Sequence, residues 1–285
     1  MTNERPDQST ITSPRSERVR RIAALAGRSA RRKQERFRVE GPQAVRSLLS
    51  EQPGTATDLY LTERADVDHP ELAALAADAH VPVHMVDDAV LRAMVREGEG
   101  SLVTPQGVIA VGLLPREDDT AARTAIEALP ADEPVTVAVL HEVRDPGNVG
   151  TLIRTADAAG ADLVVLTRTS ADPYSPKAVR ASVGSIFHLP VVTGAEIDEV
   201  LDALSAAGIT AAATSGHAEL DLFASELPAR IAWLLGNEAH GLDSTTLEAA
   251  PLAVRIPLAG RAESLNVHTA ATVCLFETLR RRSRG

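Results

Sequence analysis

Five polar side chains, in three short stretches of this 285-residue chain, have the types and spacing of a ligand-handling site. Asn148 and Arg154 lie in DPGNVGTLIRTA (Asp145 to Ala156), Glu238 in LGNEAHGL (Leu235 to Leu242), and Ser264 and Asn266 in IPLAGRAESLNVHTAA. An amide donates and accepts at once, a carboxylate accepts, and a guanidinium offers a planar fork of donors suited to a phosphate. The set therefore orients a polar ligand by hydrogen bonding. It is not a metal set: the single cysteine and eight scattered histidines have no zinc-ligand spacing. Two residues also have plainer readings. Ser264 suits a helix N-cap, and Glu238 suits a solvated loop charge or a charge at a helix N-terminus.

Each stretch follows an apolar run. Val135 to Leu140 is continuous and rich in β-branched residues, as a strand buried on both faces would be. A loop, His141 to Gly147, and a helix, Val149 to Ala159, come next. Ile231 to Leu235 reads as the strand before Glu238. Ala253 to Leu258 reads as the strand before the loop Ala259 to Glu263. A helix is then expected from Ser264 to Arg282, with Val267, Ala270, Ala271, Cys274 and Leu275 at helical spacing. Strand ends, loops and helix starts converging in this way describe an α/β ligand site. A dinucleotide site is disfavoured, because Gly147 and Gly150 do not match G-x-G-x-x-G and a phosphate cradle has no need of Asn148 or Arg154.

Further strands are predicted at Asp162 to Leu166, Phe187 to Val192 and Ile209 to Thr214, with helices at Pro176 to Ala181 and Ile197 to Ala207. The pattern is that of a doubly wound parallel sheet over 134–285. Residues 15–114 alternate short strands and helices as a smaller α/β domain, and 115–133 reads as a linker containing a helix, Arg123 to Leu129. Residues 1–14 are polar and are expected to be disordered. No apolar run is long enough to span a membrane, so a soluble, cytoplasmic protein is expected.

The net charge is −10, unevenly spread. Residues 1–46 hold 12 Lys/Arg against 5 Asp/Glu, and the remainder holds 17 against 34. A basic end on an acidic chain points to a nucleic-acid-binding segment, or more plainly to a solubilising tail. One Trp, two Tyr and four Phe are too few for a base-stacking platform, which favours recognition of structured RNA by shape and phosphate contact.

The three stretches, in this order, resemble the first, second and third signatures of the SpoU (TrmH-type) RNA methyltransferases of the SPOUT superfamily. The resemblance covers Val135 to Arg280. Arg36, Phe37, Glu40 and Gly41 are similar to the opening of the RNA-binding domain that precedes the catalytic domain in many such enzymes. The family implies a C-terminal knotted (trefoil) Rossmann-like domain behind a smaller ribosomal-protein-like α/β domain. It also implies S-adenosyl-L-methionine as cofactor, a ribose 2′-hydroxyl as acceptor, and a homodimer with the active site at the subunit interface.

Carried onto this chain, the resemblance implies Arg154, Asn148, Glu238, Ser264 and Asn266 as catalytic residues, with Glu238 pairing with Arg154 or Asn266. Arg154 has two open roles: activating the hydroxyl, or holding a phosphate and orienting the ribose. Cofactor contacts are expected from Thr214, Ser215, Gly216, Leu235, Gly236, Asn237, Gly241, Ile256, Leu258, Ser264, Leu265 and Asn266. RNA contacts are expected from Arg31, Arg32, Lys33, Arg36, Arg38, Arg144 and Arg180. Ribosomal (23S) RNA is favoured over transfer RNA by the domain order. The alternatives are a tRNA 2′-O-methyltransferase, an RNA base methyltransferase of the same superfamily, and a non-catalytic RNA-binding or assembly protein.

Overall fold

The computed structural model describes residues 10–96, 106–116 and 118–283. The chain divides into two compact units, Met1–Arg116 with Tyr174–Phe187, and Glu117–Pro173 with His188–Gly285.

In the first unit, α1 (Glu17–Ala24) starts at Ser16, whose hydroxyl accepts from the Val19 N–H, and it buries Val19 and Ile22. There follow α2 (Arg28–Gln34), β1 (Arg36–Glu40), α3 (Pro42–Glu51), β2 (Ala56–Leu61), α4 (Glu63–Asp68), α5 (Pro70–Asp78), β3 (Val83–Met85), α6 (Asp88–Val95) and β4 (Val108–Leu113). The strands form a sheet in the order β1-β4-β2-β3, with β4 antiparallel to β1 and β2, and β2 parallel to β3. Val19, Ile22 and Leu25 of the α1 region pack with Met94 of α6 onto Tyr60, Ile109 and Val111 of the sheet. Burying each such aliphatic side chain contributes about 1.5–3 kcal/mol.

Several expectations for this region change. Residues 1–9 of the tail expected to be disordered lie outside the described residues. From Thr10 the chain is placed: the Ile11 N–H donates to the Met85 carbonyl at 2.8 Å, and Ile11 bridges Val86. Tyr174–Phe187 joins this unit although its sequence falls within 134–285. Phe37 meets Tyr174 at 4.9 Å and Phe187 at 6.2 Å between ring centroids, and Gln52 donates to the Phe187 carbonyl.

Arg31 and Arg38, expected to meet RNA, turn inward and are 2% and 0% exposed. Arg31 donates to the Leu25 and Ala26 carbonyls at the end of α1, both at 2.9 Å. Arg38 donates to the Met94 and Val95 carbonyls at the end of α6, at 2.9 and 3.0 Å, and to Glu40 at 2.6 Å. The last carbonyls of a helix have no partner within it, so both guanidinium groups serve the fold. Arg180 is held by the other Glu40 oxygen at 3.0 Å, whereas Arg32, Lys33 and Arg36 are exposed.

Beyond the first unit's β4, the chain continues with α7 (Ala121–Glu127), β5 (Val135–Leu140), α8 (Pro146–Ala158), β6 (Leu163–Thr167), α9 (Pro176–Ser182, within the first unit's added segment), β7 (Val191–Ala195), α10 (Ile197–Ala206) and β8 (Thr210–Thr214). It ends with β9 (Leu220–Asp221), β10 (Arg230–Leu235), α11 (Ser244–Ala249), β11 (Leu252–Arg255) and α12 (Val267–Arg282). The second unit's strands form a sheet in the order β7-β6-β5-β10-β8-β11-β9, in which every pairing is parallel. Strand order runs outward one way from β5 through β6 and β7, and the later strands lie on its other side. The switch point therefore falls between β5 and β10, where an open α/β sheet offers a crevice.

Alternation along β10 divides its side chains between the two faces. Ala232 and Leu234 join Val137, Val139, Val165, Val200 and Leu204 in one core. Trp233 is fully buried and donates from Nε1 to Thr278 Oγ1 of α12 at 3.0 Å. The helix expected as part of a linker is packed: Ala122 and Ile126 of α7 belong to the first of these cores. The strand expected from Phe187 is replaced by a 3₁₀ turn, Ser185–Phe187, and β7 begins only after Pro190, which has no N–H to give a ladder.

Candidate functional site at the carboxyl ends of the parallel strands

β5, β10, β8 and β11 are consecutive neighbours and run in one direction, so the loops leaving their carboxyl ends emerge along one edge. The expected site residues lie in those loops or in the helices that follow β5 and β11. At the switch point, the β5 and β10 loops are joined through Glu238. Its Oε1 accepts from Asn148 Nδ2 and from the Asp145 N–H, both at 3.0 Å, and its Oε2 accepts from the Arg144 N–H at 3.1 Å. Asp145 is the N-cap of α8, accepting from the Asn148 N–H at 3.0 Å. Partial burial works to raise the Glu238 carboxyl, but the bonds from Asn148, Asp145 and Arg144 outweigh it and hold the group below its usual range. The expected pairing with Arg154 or Asn266 is not formed; Glu238 is instead the acceptor of the loop that opens α8.

The β10 loop has its own frame. Asn237 and Gly241 exchange backbone hydrogen bonds at 2.9 Å in both directions. The Asn237 side chain donates to the Glu142 carbonyl at 3.1 Å and accepts from the Ala239 N–H at 2.8 Å. Gly236 is required because a Cβ there would lie 2.4 Å from the Gly241 carbonyl carbon. Gly236 and Asn237, expected at the cofactor, thus have structural work here. Gly241 is exposed with φ +69°, in the left-handed region that glycine adopts without strain.

α8 and α12 pack together. Arg154 is exposed on α8, and no described side chain pairs with it. Its neighbour Thr155 is hydrogen-bonded through Oγ1 to Nε2 of His268 at 2.9 Å, and the His268 N–H donates to Asn266 Oδ1 at 2.8 Å. Asn266, not Ser264, is therefore the N-cap of α12. The chain turns helical only at Val267, which leaves Ser264 exposed in the preceding loop.

Around the remaining strand ends, Leu235 is buried, Ile256 and Leu265 are half-buried, and Leu258 is 40% exposed. Thr214 and Ser215 are half-buried beside the exposed Gly216. The Ser215 N–H donates to the Val254 carbonyl, and its hydroxyl accepts from the His217 N–H, so the turn is fixed by the chain itself. Arg144 is exposed and ion-paired with Glu142 at 3.2 Å.

Sequence reasoning missed the roles of Asp145, Thr155 and His268. Asp145 carried a legible signal, an Asp-Pro pair opening a helix. The Thr155 to His268 link joins residues 113 positions apart and has no local signature. Also missed was His141, which lies 3.5 Å from Asp243 and 3.2 Å from Thr167 Oγ1 at the root of the β5 loop.

Parallel strands whose carboxyl-end loops meet at a switch point define an α/β domain of the doubly wound, ligand-binding class. Comparison with known proteins narrows this class. Residues 135–276 match the model of the SpoU rRNA Methylase family, and residues 16–110 match the MRM3-like substrate binding domain. The 23S rRNA (guanosine(2553)-2'-O)-methyltransferase RlmP of Bacillus subtilis is 32% identical over 93% of this chain and 97% of its own length. The 23S rRNA (uridine(2479)-2'-O)-methyltransferase of Streptomyces viridochromogenes is 33% identical over 98% of this chain and 95% of its own. Among solved structures, the AdoMet-bound rRNA methyltransferase from Sinorhizobium meliloti aligns with a TM-score of 0.79 at 30% identity, over 95% of this chain and 97% of that one. The chain belongs to the SpoU rRNA methylase family.

Proposed function

We propose that this protein is an S-adenosylmethionine-dependent methyltransferase that modifies a ribose 2′-hydroxyl of 23S ribosomal RNA. The observation that carries the reading is the joining of the β5 and β10 loops through Glu238 and Asn148 at the sheet's switch point, Asn148 lying on the helix α8 that also carries the exposed Arg154. The relatives that match nearly the whole chain are named as 23S rRNA 2′-O-methyltransferases, and the Sinorhizobium meliloti relative is an AdoMet-bound structure.

The residues at the strand ends fit that cofactor. Ile256, Leu258 and Leu265 offer apolar surface to adenine, and Thr214, Ser215 and the backbone near Gly216 and Gly241 offer polar anchors. When bound, the cofactor supplies a methyl group on a sulfonium, so the protein's task is alignment and activation of a weak nucleophile. Glu238 fixes Asn148 and the start of α8. Asn266 fixes the start of α12, and the Thr155 to His268 bond ties the two helices one residue from Arg154. Arg154 extends from this frame and orients the acceptor ribose through its adjacent phosphate. Ser264, exposed in the loop before α12, supplies a further hydroxyl to cofactor or ribose.

The same reading makes the enzyme a cytoplasmic homodimer with a C-terminal trefoil knot. The sheet order, with β8 between β10 and β11, supports the knot. No described helix is long and apolar enough to cross a membrane. Exposed Arg32, Lys33 and Arg36 on the first unit, and Arg144 on the second, contribute positive charge for RNA.

The test is transfer of tritiated methyl from S-adenosylmethionine to unmodified 23S rRNA. Label in an alkali-resistant dinucleotide is the expected result. Label in a base, or in transfer RNA alone, would replace the substrate assignment. Cofactor binding with no transfer to any RNA would leave a non-catalytic RNA-binding protein.

A further inference from the structure

The first unit contains a groove of about 520 Å³ that the three methyltransferase signatures do not touch. Its walls are Arg18 and Arg21 of α1, Gln34 of α2 and Arg36 of β1. Asp58 lies across from them on β2, and the floor is Ile22, Leu25, Tyr60 and Val111. The three arginines are exposed, while the floor residues are all at most 6% exposed. Three cations face one carboxylate, so the groove is cationic in a chain whose net charge is −10.

The arginines are not free surface charges, because a relay of two hydrogen bonds and one ion pair holds two of them. Arg18 Nη1 lies 3.3 Å from His84 Nδ1, His84 Nε2 lies 2.9 Å from Asp58 Oδ1, and Asp58 Oδ2 lies 3.7 Å from Arg36 Nη1. A neutral imidazole satisfies both of its contacts at once, accepting from Arg18 at Nδ1 and donating to Asp58 from Nε2. The His84 ring is stacked on Tyr60 at 4.9 Å with 26° between planes, which fixes the imidazole in the plane the relay needs. On the other wall, Gln34 Nε2 donates to the Arg21 carbonyl at 3.2 Å and so ties α2 to α1. Long side chains lose rotamer freedom when they bind, and positioning two of them beforehand lowers that cost.

We infer that this groove is a phosphate clamp for the substrate RNA, in which Arg18, Arg21 and Arg36 grip the RNA backbone and His84 with Asp58 positions two of the three guanidinium groups. The inference rests on the RNA-methyltransferase reading for the identity of its ligand. RNA backbone is favoured over a free aromatic ligand because Tyr60 is buried and the groove presents no exposed ring for stacking. It is favoured over an acidic peptide because the planar forks of three arginines match phosphate oxygens, and charge neutralisation along RNA is local even on an acidic protein. Arg18, Arg21 and Arg36 are the binding residues. His84 is a positioning residue that does not itself touch the RNA.

The test uses the full-length protein and a 23S rRNA transcript, with binding measured by filter retention across salt concentrations and methyl transfer measured separately. Arg18→Ala, Arg21→Ala and Arg36→Ala, made singly, are expected to weaken RNA binding several-fold. Each should reduce the slope of log affinity against log salt by roughly one, raise KM for RNA and leave kcat near wild type. His84→Phe keeps the stacking on Tyr60 and removes the relay; it is expected to raise KM without changing the salt slope. Arg64→Ala, an exposed arginine of α4 outside the groove, controls for loss of net charge and should leave the slope unchanged. Slopes and KM values at wild-type levels in all three arginine variants would overturn the clamp, even while methyl transfer by wild type upholds the enzyme reading. Conversely, RNA binding without transfer would overturn the enzyme reading, and the slopes would still decide the clamp. Absence of RNA binding by wild type would overturn both.

Discussion

Glu238 accepts a hydrogen bond from Asn148 at 3.0 Å across 90 residues of sequence, and the same carboxylate accepts the N–H groups of Asp145 and Arg144. One side chain thereby fixes the loop between β5 and α8 against the hairpin that follows β10. The expected consequence of Glu238→Ala is a loss of kcat on the order of 10–100-fold with cofactor affinity changed far less, because a misplaced α8 start spoils alignment rather than binding. Glu238→Gln keeps one acceptor oxygen and should recover part of the loss. The pH dependence has a defined sign. The carboxyl is held below its usual value of 4.5, so the tie is fully present above about pH 4.5 and is lost only as pH falls through the lower folded-state value. Single-turnover methyl transfer by wild type and Glu238→Gln across acid pH checks this, and identical acid limbs in the two proteins would contradict it.

Arg154 stands exposed with no described partner, so its removal should leave stability within about 0.5 kcal/mol of wild type. Activity is expected to behave differently. Arg154→Ala should lower kcat by roughly 100-fold or more, and Arg154→Lys should recover little, because an ammonium lacks the planar two-pronged geometry. Thermal melts beside single-turnover kinetics separate the two effects. A variant that melts early would instead give Arg154 a structural role.

Asn266 has two roles that can be separated. As the N-cap of α12 it accepts the His268 N–H at 2.8 Å, and Asn266→Ala should cost about 1 kcal/mol. Aspartate is an equally good cap. Asn266→Asp should therefore restore stability, while its added negative charge and lost amide donor depress methyl transfer. Chemical denaturation and activity measured on both variants decide the matter. Recovery of both properties in Asn266→Asp would reduce this residue to a cap.

The legibility of these features in the sequence followed their range. Val135 to Leu140 was readable with its bounds intact because a strand buried on both faces is written as an unbroken apolar run. The start of α12 was misplaced by three residues because Ser264 and Asn266 are both good caps, and only tertiary placement of the preceding loop chooses between them. Arg38 read as a basic surface residue because it closes a basic stretch that includes Arg31, Arg32, Lys33 and Arg36. Its burial depends on the orphan carbonyls of α6, some 56 residues away, which no local pattern announces. The allegiance of Tyr174–Phe187 to the first unit is likewise a matter of Phe37 meeting two distant rings. The candidate site residues could be picked out because they stand in fixed motifs, but the partner of Glu238 could not, since Asn148 lies 90 residues away.

The end of α12 gives a prediction of the opposite kind, about stability rather than catalysis. Arg280, Arg281 and Arg282 close the helix, where positive charge complements its dipole. In the structure, Glu277 accepts from Arg280 twice and from Arg281 once, each at 2.7 Å. Arg281 then reaches the Ser225 and Leu222 carbonyls at 2.6 Å, tying α12 to the segment after β9. The bonds from Arg280 and Arg281 outweigh the effect of burial and bring the Glu277 carboxyl from 4.5 down to about 2. A depressed carboxyl contributes stability that is complete above pH 4.5 and fades as pH falls toward about 2. Glu277→Gln should therefore be less stable than wild type at neutral pH by about 2 kcal/mol, a magnitude typical of charge-assisted hydrogen bonds. The gap should narrow steadily in acid, because protonation turns the wild-type group into a neutral one like the variant's amide. Urea unfolding followed by the fluorescence of Trp233, the one tryptophan in the chain, reads both proteins at each pH. A gap that stayed constant from neutral pH to pH 2 would mean that Glu277 stabilises the helix by packing rather than by its charge.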